Sequence, residues 1–378
     1  MNKIFEKGGK LYWLHSTVDA FETFLHVPGT VTLKGAHVRD AVDIKRIMII
    51  AVIAAVPAAI FGMWNVGWQH ALATGISANV WQAFWYGFWK VLPLYLVSYI
   101  VGLGIEFASS QIRGEEVNEG YLVTGFFIPL IVPVDVPLWM LALAVAFAVI
   151  FGKEVFGGTG MNVVNVAILA RAFLFFSYPI DMSGSGNWIH VGANEAVVDG
   201  FTGATPLALA GDGFNALANA GVQYGTDFWT MFWGGIPGSV GETSVIAILL
   251  GAILLIWTGV ASWKIMLSSV AGALFVGGLA NLCGASDIPC LYHLVMGGFA
   301  FGTVFMATDP VTSAQTEPGK CIYGFLVGAL CVIIRVFNPG YAEGMMLAIF
   351  LGNIFAPLID HLVTSCHINA RNRKLSKA

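Results

Sequence analysis

The stretch "IMIIAVIAAVPAAIFGMW", from Ile47 to Trp64, is uncharged throughout. It is nearly as long as a membrane-spanning helix, which needs about 20 apolar residues. The rest of the chain has the same character: 57% of its 378 residues are hydrophobic and 11% are charged, and the mean hydropathy is +0.77. Soluble domains have about 25% charged residues. The sequence therefore predicts an all-α integral membrane protein, and its net charge of −4 argues against a nucleic-acid partner.

Nine further apolar runs follow the first, so about ten transmembrane helices are expected. They cover residues 92–107, 121–134, 137–151, 161–178, 244–260, 265–282, 291–307, 322–337 and 345–363. The aromatic-rich residues 81–90 are expected to lie at the membrane interface rather than to span. Several runs are short, and the third contains Pro129 and Pro133. Such interruptions are typical of broken helices around a binding site.

The basic residues predict the orientation. With the N-terminus in the cytoplasm, 15 of the 18 Lys and Arg residues precede the first span, follow even-numbered spans or lie in the C-terminal tail. The other loops then contain no Lys or Arg. This positive-inside pattern places both termini in the cytoplasm and residues 181–243 outside. The first 44 residues contain no long apolar run, which predicts no cleaved signal peptide.

Two dipeptides recur at the same distance along the chain. Val155-Phe156 recurs as Val336-Phe337, and Ala167-Ile168 recurs as Ala348-Ile349, each 181 residues later. Five spans per copy would give the two copies opposite orientations, as in inverted repeats with a site at the midplane. The predicted organisation is a basic cytoplasmic segment, a first five-helix repeat, an external loop, a second five-helix repeat and a basic cytoplasmic tail. These cover residues 1–44, 45–180, 181–243, 244–364 and 365–378.

The predicted external loop contains "DGFTGATPLA", from Asp199 to Ala208. Its small centre lies between two hydroxyl residues, Thr202 and Thr205. One interpretation is an ordinary turn, since Gly, Thr and Asp are common loop residues. The other is a site where a group is attached to a threonine. The words "HVRDAVDIKRIMI", "KEVFGGTG", "IPGSVGE", "FMATDPV", "NPGYAEGMMLAI" and "APLIDH" accompany this motif along the chain.

With these words, the motif resembles the B-subunit family of the Na⁺-translocating NADH:quinone oxidoreductase; the RnfD protein of the Rnf complex is related. The basic N-terminal extension favours the former. The resemblance implies a subunit of a multi-subunit complex in the bacterial inner membrane, which carries electrons through flavins towards quinone and couples this to Na⁺ translocation. The alternatives are an Rnf-type subunit of a ferredoxin:NAD oxidoreductase and a flavin-free channel or secondary transporter.

The resemblance also implies roles for the motif residues. Thr205 would carry FMN through a phosphoester bond made by a flavin transferase. Asp199 would be recognised by that enzyme, and Gly203 and Ala204 would leave room for it. The family usually has Ser where this chain has Thr202, a conservative change.

A second flavin, non-covalent riboflavin, is implied at Asn162 and Asn165, with Gly158 and neighbouring glycines allowing close backbone approach. The alternative for the two asparagines is helix capping. Arg171 lies within a span, where a charge is costly and is usually paired or functional. It would either face a flavin or its phosphate, or pair with Glu154, Asp181 or another buried carboxylate.

The remaining expected residues belong to the ion and quinone paths. The resemblance places sodium-sensitive acids at Glu106, Asp309 and Asp360, since Na⁺ prefers hard oxygen ligands. It places an aromatic gate at Phe301 and Phe305. The alternatives are interfacial or capping acids and simple i, i+4 packing of the two rings. The quinone is expected near Gly102. The five cysteines have no metal-ligand spacing and are interpreted as small core residues.

Overall fold

The structure is a computed structural model that describes residues 44–114, 120–182, 224–338 and 343–376. Between these segments it describes residues 186–192, 195–199, 201–211 and 213–218, and it also describes residues 18, 34–36, 117 and 222. The basic segment predicted over residues 1–44 therefore lies almost entirely outside the described residues.

In the part of the chain that the structure describes, nine apolar helices of at least 11 residues form the body of the protein. They are α1 (Ile44–Thr74), α2 (Val80–Arg113), α3 (Tyr121–Ile131), α4 (Leu138–Gly152), α5 (Val166–Ser177), α6 (Val245–Trp257), α7 (Trp263–Leu282), α8 (Glu317–Phe337) and α9 (Met345–Leu375). Short α-helices cover Pro179–Met182, Pro206–Ala210, Phe214–Ala218, Phe228–Trp233, Tyr292–Val295 and Phe299–Phe301, a 3₁₀ turn covers Glu154–Phe156, and a π-helical turn covers Gly302–Met306. The described residues contain no β-strand.

Six of these helices, α1, α2, α4, α7, α8 and α9, are long and apolar enough to cross a membrane. The other three, α3, α5 and α6, are shorter but equally apolar. The prediction of an all-helical membrane protein is confirmed.

Several predicted boundaries are wrong: α1 and α9 continue to Thr74 and Leu375, beyond residues 64 and 363, and three other differences have a local reason. The second run does not begin at residue 92: a capping box at Asn79 starts α2 at Val80, so residues 81–90 belong to this helix, which continues to Arg113. The fifth run does not become helical at residue 161, because Asn165 caps α5 at Val166. The run 291–307 is not one helix. It forms Tyr292–Val295, Phe299–Phe301 and the π-helical turn.

The cysteine interpretation is correct only in part. All five thiols are free, and Cys331 is buried in the core. Cys283, Cys321 and Cys366 are instead on the protein surface. For residues on apolar membrane helices, that surface includes the part facing lipid, so exposure of a small apolar side chain there has little cost.

Glycines let pairs of helices touch backbone to backbone. In α7 a Cβ added at Gly272 would lie 2.3 Å from the carbonyl oxygen of Phe325 in α8. In α8 a Cβ at Gly328 would lie 1.9 Å from the carbonyl oxygen of Ser269. Small residues at such crossings are the usual means of close helix packing in membranes.

We expect Gly272→Ala to separate α7 from α8, because the new methyl group meets backbone that cannot turn aside. The loss of stability should be on the order of 1–3 kcal/mol, as for overpacked cores, visible as a lower unfolding temperature of the detergent-purified protein. Gly278→Ala in the same helix is the matched control, since its Cβ would meet nothing within 4 Å. Equal effects of the two substitutions would contradict the packing argument.

Candidate functional site

The helix bundle contains a cavity of about 290 Å³. It lies between α1, α3, the segment that precedes α5 and the segment that follows the π-helical turn. Its wall is mostly apolar, with a few polar side chains that converge on it. These polar residues are Thr124, Lys153, Thr159, Asn162, Asn165, Thr308 and Asp309. An apolar cavity with a few convergent polar groups is the usual form of a small-molecule site.

The segment between α4 and α5 owes its irregular shape to glycine. Gly157, Gly158 and Gly160 have φ values of +115°, +95° and +88°, which only glycine adopts without strain. A Cβ at Gly158 or Gly160 would meet nothing within 4 Å. These glycines are therefore required by the turn itself, and the fold supplies the irregular backbone that can line a cavity inside a membrane.

Asn165 joins two groups of predicted residues. Its Oδ1 accepts hydrogen bonds from the backbone N–H groups of Ala167 and Ile168, at 3.0 and 3.2 Å, and so caps α5. Its Nδ2 donates to Oδ2 of Asp309 at 3.1 Å. The capping role foreseen for Asn165 is present, together with a contact to an expected sodium residue. Asn162 lines the same cavity and donates to the carbonyl of Val164 at 3.0 Å.

Asp309 is held by donors from three directions. Besides Asn165, the backbone N–H of Val311 donates to Oδ1 and the Thr312 hydroxyl donates to Oδ2, each at 3.1 Å. A carboxylate has about four acceptor positions. The three bonds fix the orientation of the group and leave acceptor capacity on the cavity wall.

An aromatic cluster bounds the cavity on the side of α3. The rings of Phe301 and Phe305 are 4.9 Å apart, and Phe127 lies 6.1 and 5.8 Å from them. Phe305 lies in the π-helical turn and Phe301 directly precedes it. π-helical turns are rare and are often found at functional sites. Phe301 and Phe305, expected as a gate, are thus brought together in a buried cluster.

Beyond the aromatic cluster, Arg171 on α5 is buried among carboxylates. Its guanidinium nitrogens lie 2.5 Å from Oε1 of Glu242 and 2.8 Å from Oε2 of Glu343. Arg171 was expected either to face a flavin or to pair with a buried carboxylate. The structure shows the second arrangement, with carboxylates other than Glu154 and Asp181. A buried charge requires such a partner. Sequence reasoning missed both Glu242 and Glu343. A signal was present, since each lies in a glycine-containing segment just before an apolar helix.

The threonine motif packs next to this ion-pair cluster. Thr205 caps the helix Pro206–Ala210, and its Oγ1 accepts a hydrogen bond from the N–H of Ala208 at 3.2 Å. Thr205 also lines a recess of about 40 Å³ together with Glu242 and Glu343. The phenol of Tyr224 donates to the carbonyl of Ala204. Burial raises the pKa of this phenol, so that it stays a neutral donor.

The other motif residues differ in exposure. Asp199 is exposed, Thr202 is half-buried and Gly203 is buried. The hydroxyl of Thr202 accepts from the N–H of Ala204 at 3.3 Å. Thr202 and Gly203 also line a second surface depression, of about 330 Å³, on the side of Asp135. The motif is therefore an ordered turn with its acidic residue exposed.

Three further predicted residues do not line the cavity. Glu106, on α2, is 3% exposed and pairs with Lys153. Asp360, on α9, accepts from the N–H groups of Gln315 and Thr316 at 2.7 and 2.9 Å, so it fixes the turn before α8. Gly102, also on α2, lies under the ring of Tyr121, which a Cβ would approach to 1.9 Å. The charge pattern predicts Lys153 in a loop, but its side chain is buried at the Glu106 pair.

Irregular backbone, buried charges and an internal cavity between membrane helices define a multi-pass membrane protein with its site inside the bundle. The chain belongs to the NQR2, RnfD, RnfE family, whose model matches residues 31–369. It is 42% identical to the B subunit of the Na⁺-translocating NADH-quinone reductase of Chromohalobacter salexigens, over 98% of this chain and 94% of the relative. It is 44% identical to the protein of the same name from Ectopseudomonas mendocina, over 97% and 96% of the two chains. The resemblance seen in the sequence words is confirmed.

We expect Arg171→Met to destabilise the protein strongly, because it leaves Glu242 and Glu343 buried without their cation. Removing one partner of a buried pair costs about 3–5 kcal/mol, measurable as lost yield of folded protein and a lower unfolding temperature. The matched control is Arg113→Met, since Arg113 is one-third exposed and lies 3.3 Å from Glu154. An exposed pair contributes about 1 kcal/mol or less. A mild effect of Arg171→Met, equal to that of the control, would contradict the importance of the cluster.

Proposed function

We propose that this chain is the membrane-embedded, flavin-carrying subunit of a Na⁺-translocating NADH:quinone reductase of the bacterial inner membrane. Its relatives are named as the B subunit of that enzyme. One observation carries the proposal. Asn165, expected at a flavin, donates a hydrogen bond to Asp309, expected in the sodium path, on the wall of one cavity. A redox group and an ion site in contact are what a redox-driven ion pump requires.

The proposed architecture is ten membrane elements in two inverted repeats with cytoplasmic termini. The nine apolar helices and the broken segment 292–306 supply these elements. The two proposed repeats also correspond in the irregular segments that precede α5 and α9. Asn162 in the first segment and Glu343 in the second are 181 residues apart, which is the spacing of the repeated dipeptides. On this arrangement residues 45–180 and 244–364 are the repeats, and residues 181–243 are external.

Riboflavin would be held in the 290 Å³ cavity, which is at the lower end of the range of about 300–1,000 Å³ for small-molecule sites. The donor set fits the group. The amides of Asn162 and Asn165 offer donors and acceptors to the polar edge of an isoalloxazine, and Phe305 and Val166 offer an apolar wall. Flavin bound there supplies one- and two-electron redox chemistry. The residues of the chain hold it, orient it and exclude water.

Covalent FMN would be attached at Thr205. The half-buried hydroxyl lies on an ordered turn of small residues, while the exposed Asp199 remains available for recognition by a flavin transferase. Arg171 would then act from a distance, because Glu242 and Glu343 already neutralise it. Its positive charge still lies beside the recess that Thr205 lines.

Sodium would pass Asp309 and the aromatic cluster of Phe127, Phe301 and Phe305, with Glu106 as a second acid. Asp360 would support this path by fixing the turn before α8, which begins close to Asp309. The quinone would be reduced near Gly102 on α2. The other subunits of the complex would supply electrons from NADH.

We expect Thr205→Val to abolish covalent flavin while the helices stay folded. Valine has a similar shape but no hydroxyl to carry the phosphoester. The measurement is mass spectrometry of the peptide containing residue 205, from protein made together with a flavin transferase. Thr258→Val, at the end of α6 and outside the motif, is the control and should keep the added FMN mass. An unmodified wild-type peptide from active complex would favour the channel or transporter alternative, which predicts a colourless protein.

We expect Asn165→Ser combined with Asn162→Ala to lower the riboflavin extracted from the purified complex. Serine keeps a helix-capping oxygen for α5 but loses the amide that reaches Asp309. Loss of flavin with an unchanged unfolding temperature would therefore separate ligand binding from helix capping. Asn187→Ala, in the loop away from the cavity, serves as the control. Full riboflavin occupancy in the double variant would show that the two asparagines are structural only.

A further inference from the structure

Lys153 and Glu106 form a buried ion pair beside the cavity. The ammonium of Lys153 contacts Oε1 of Glu106, and both side chains are 4% exposed. The second carboxylate oxygen, Oε2, is buried and has no hydrogen-bond partner among the described residues. Glu106 is thus neutralised through one oxygen only. Because an isolated buried carboxylate is very costly, Glu106 needs another cation or a proton whenever Lys153 moves away.

The backbone of Lys153 is fixed while its side chain is long. Its N–H donates to the carbonyl of Val149 at 3.2 Å, and its own carbonyl accepts from Phe156 and Gly158 at 3.2 and 3.0 Å. The side chain is a compact charge on a flexible four-carbon stem. The ammonium can therefore move by side-chain rotation, without any change of fold.

The same side chain lines the cavity. Lys153 shares its wall with Asn162, Asn165 and Asp309. Thr159, on that wall, has a buried hydroxyl without a hydrogen-bond partner among the described residues. Glu154 is the other acid next to Lys153, but it is already engaged by Ser109 at 2.6 Å and Arg113 at 3.3 Å. The available alternatives for the ammonium are thus Glu106 and the cavity.

We propose that Lys153 is a tethered cation that competes with Na⁺ for Glu106. When negative charge enters the cavity, the ammonium turns towards it, and Glu106 takes a monovalent cation from solution in its place. The charges balance: the ammonium neutralises the one negative charge in the cavity, and one monovalent cation neutralises the Glu106 carboxylate. The proposal deepens the proposed function and rests on it for the source of negative charge. The competition itself depends only on the ion pair.

The test uses the assembled complex as purified, with NaCl compared with choline chloride at equal ionic strength. The readout is the Na⁺-dependent rise in unfolding temperature, with flavin content measured on the same samples. Lys153→Met removes the ammonium at similar length. We expect it to lower the half-saturating Na⁺ concentration about tenfold or more, because the competitor is gone. Adding Glu106→Gln to that variant should abolish the Na⁺ response.

Lys153→Arg should act in the opposite direction and is the safer variant for folding. A guanidinium can bind both carboxylate oxygens, so the half-saturating Na⁺ concentration should rise several-fold. Arg113→Lys, at the neighbouring exposed pair, should leave it unchanged. If neither Lys153 variant shifts the Na⁺ response in complex that contains its flavins, the proposal is overturned. If the wild-type complex contains no flavin, the proposed function is overturned. The Lys153→Met result would then still decide whether Lys153 competes with Na⁺.

Discussion

A guanidinium inside a membrane protein must be neutralised, and the pairing of Arg171 with two glutamates organises much of this fold. Arg171 belongs to α5, Glu242 precedes α6, and Glu343 precedes α9. These residues are far apart in sequence, so the cluster joins three segments that no local interaction brings together. Arg335 adds to the junction by donating to the carbonyls of His293, Met296 and Glu343. The recess of Thr205 on one side and the aromatic cluster on the other are both built against this junction.

Most of the helices could be predicted from the sequence, because apolar runs longer than about 15 residues have few alternatives to helix in a membrane. The errors lie where side chains decide the backbone. Asn79 and Asn165 set the first residues of two helices. Hydropathy does not predict these positions, because a helix cap depends on the hydrogen bonds of one side chain. The segment 291–307 is mostly apolar, yet it breaks at Met296–Gly298, where Gly297 has a φ of +60°.

The site was predictable as a set of residues but not as an arrangement. Asn165 and Asp309 are 144 positions apart, and nothing in the sequence indicates that the amide of one meets the carboxylate of the other. Glu242, Glu343 and Lys153 escape prediction because each lies at the end of an apolar run, where charges are normally interfacial. Only the tertiary structure shows that these ends turn inward. Gly102 illustrates the same limit, since its need to be glycine comes from the ring of Tyr121.

The π-helical turn at Gly302–Met306 has an evolutionary and engineering consequence. A π turn contains one residue more than the α-helical turn it replaces. Deleting a single residue there would therefore convert the segment to ordinary α-helix without breaking it. The flanking residues would keep nearly the same faces, because the wide turn already accommodates the extra residue, but a deletion between Phe301 and Phe305 would leave these rings three positions apart instead of four. The aromatic cluster thus depends on the length of this segment as much as on the identity of its phenylalanines. Alignments of this region should be judged by residue count before they are judged by similarity.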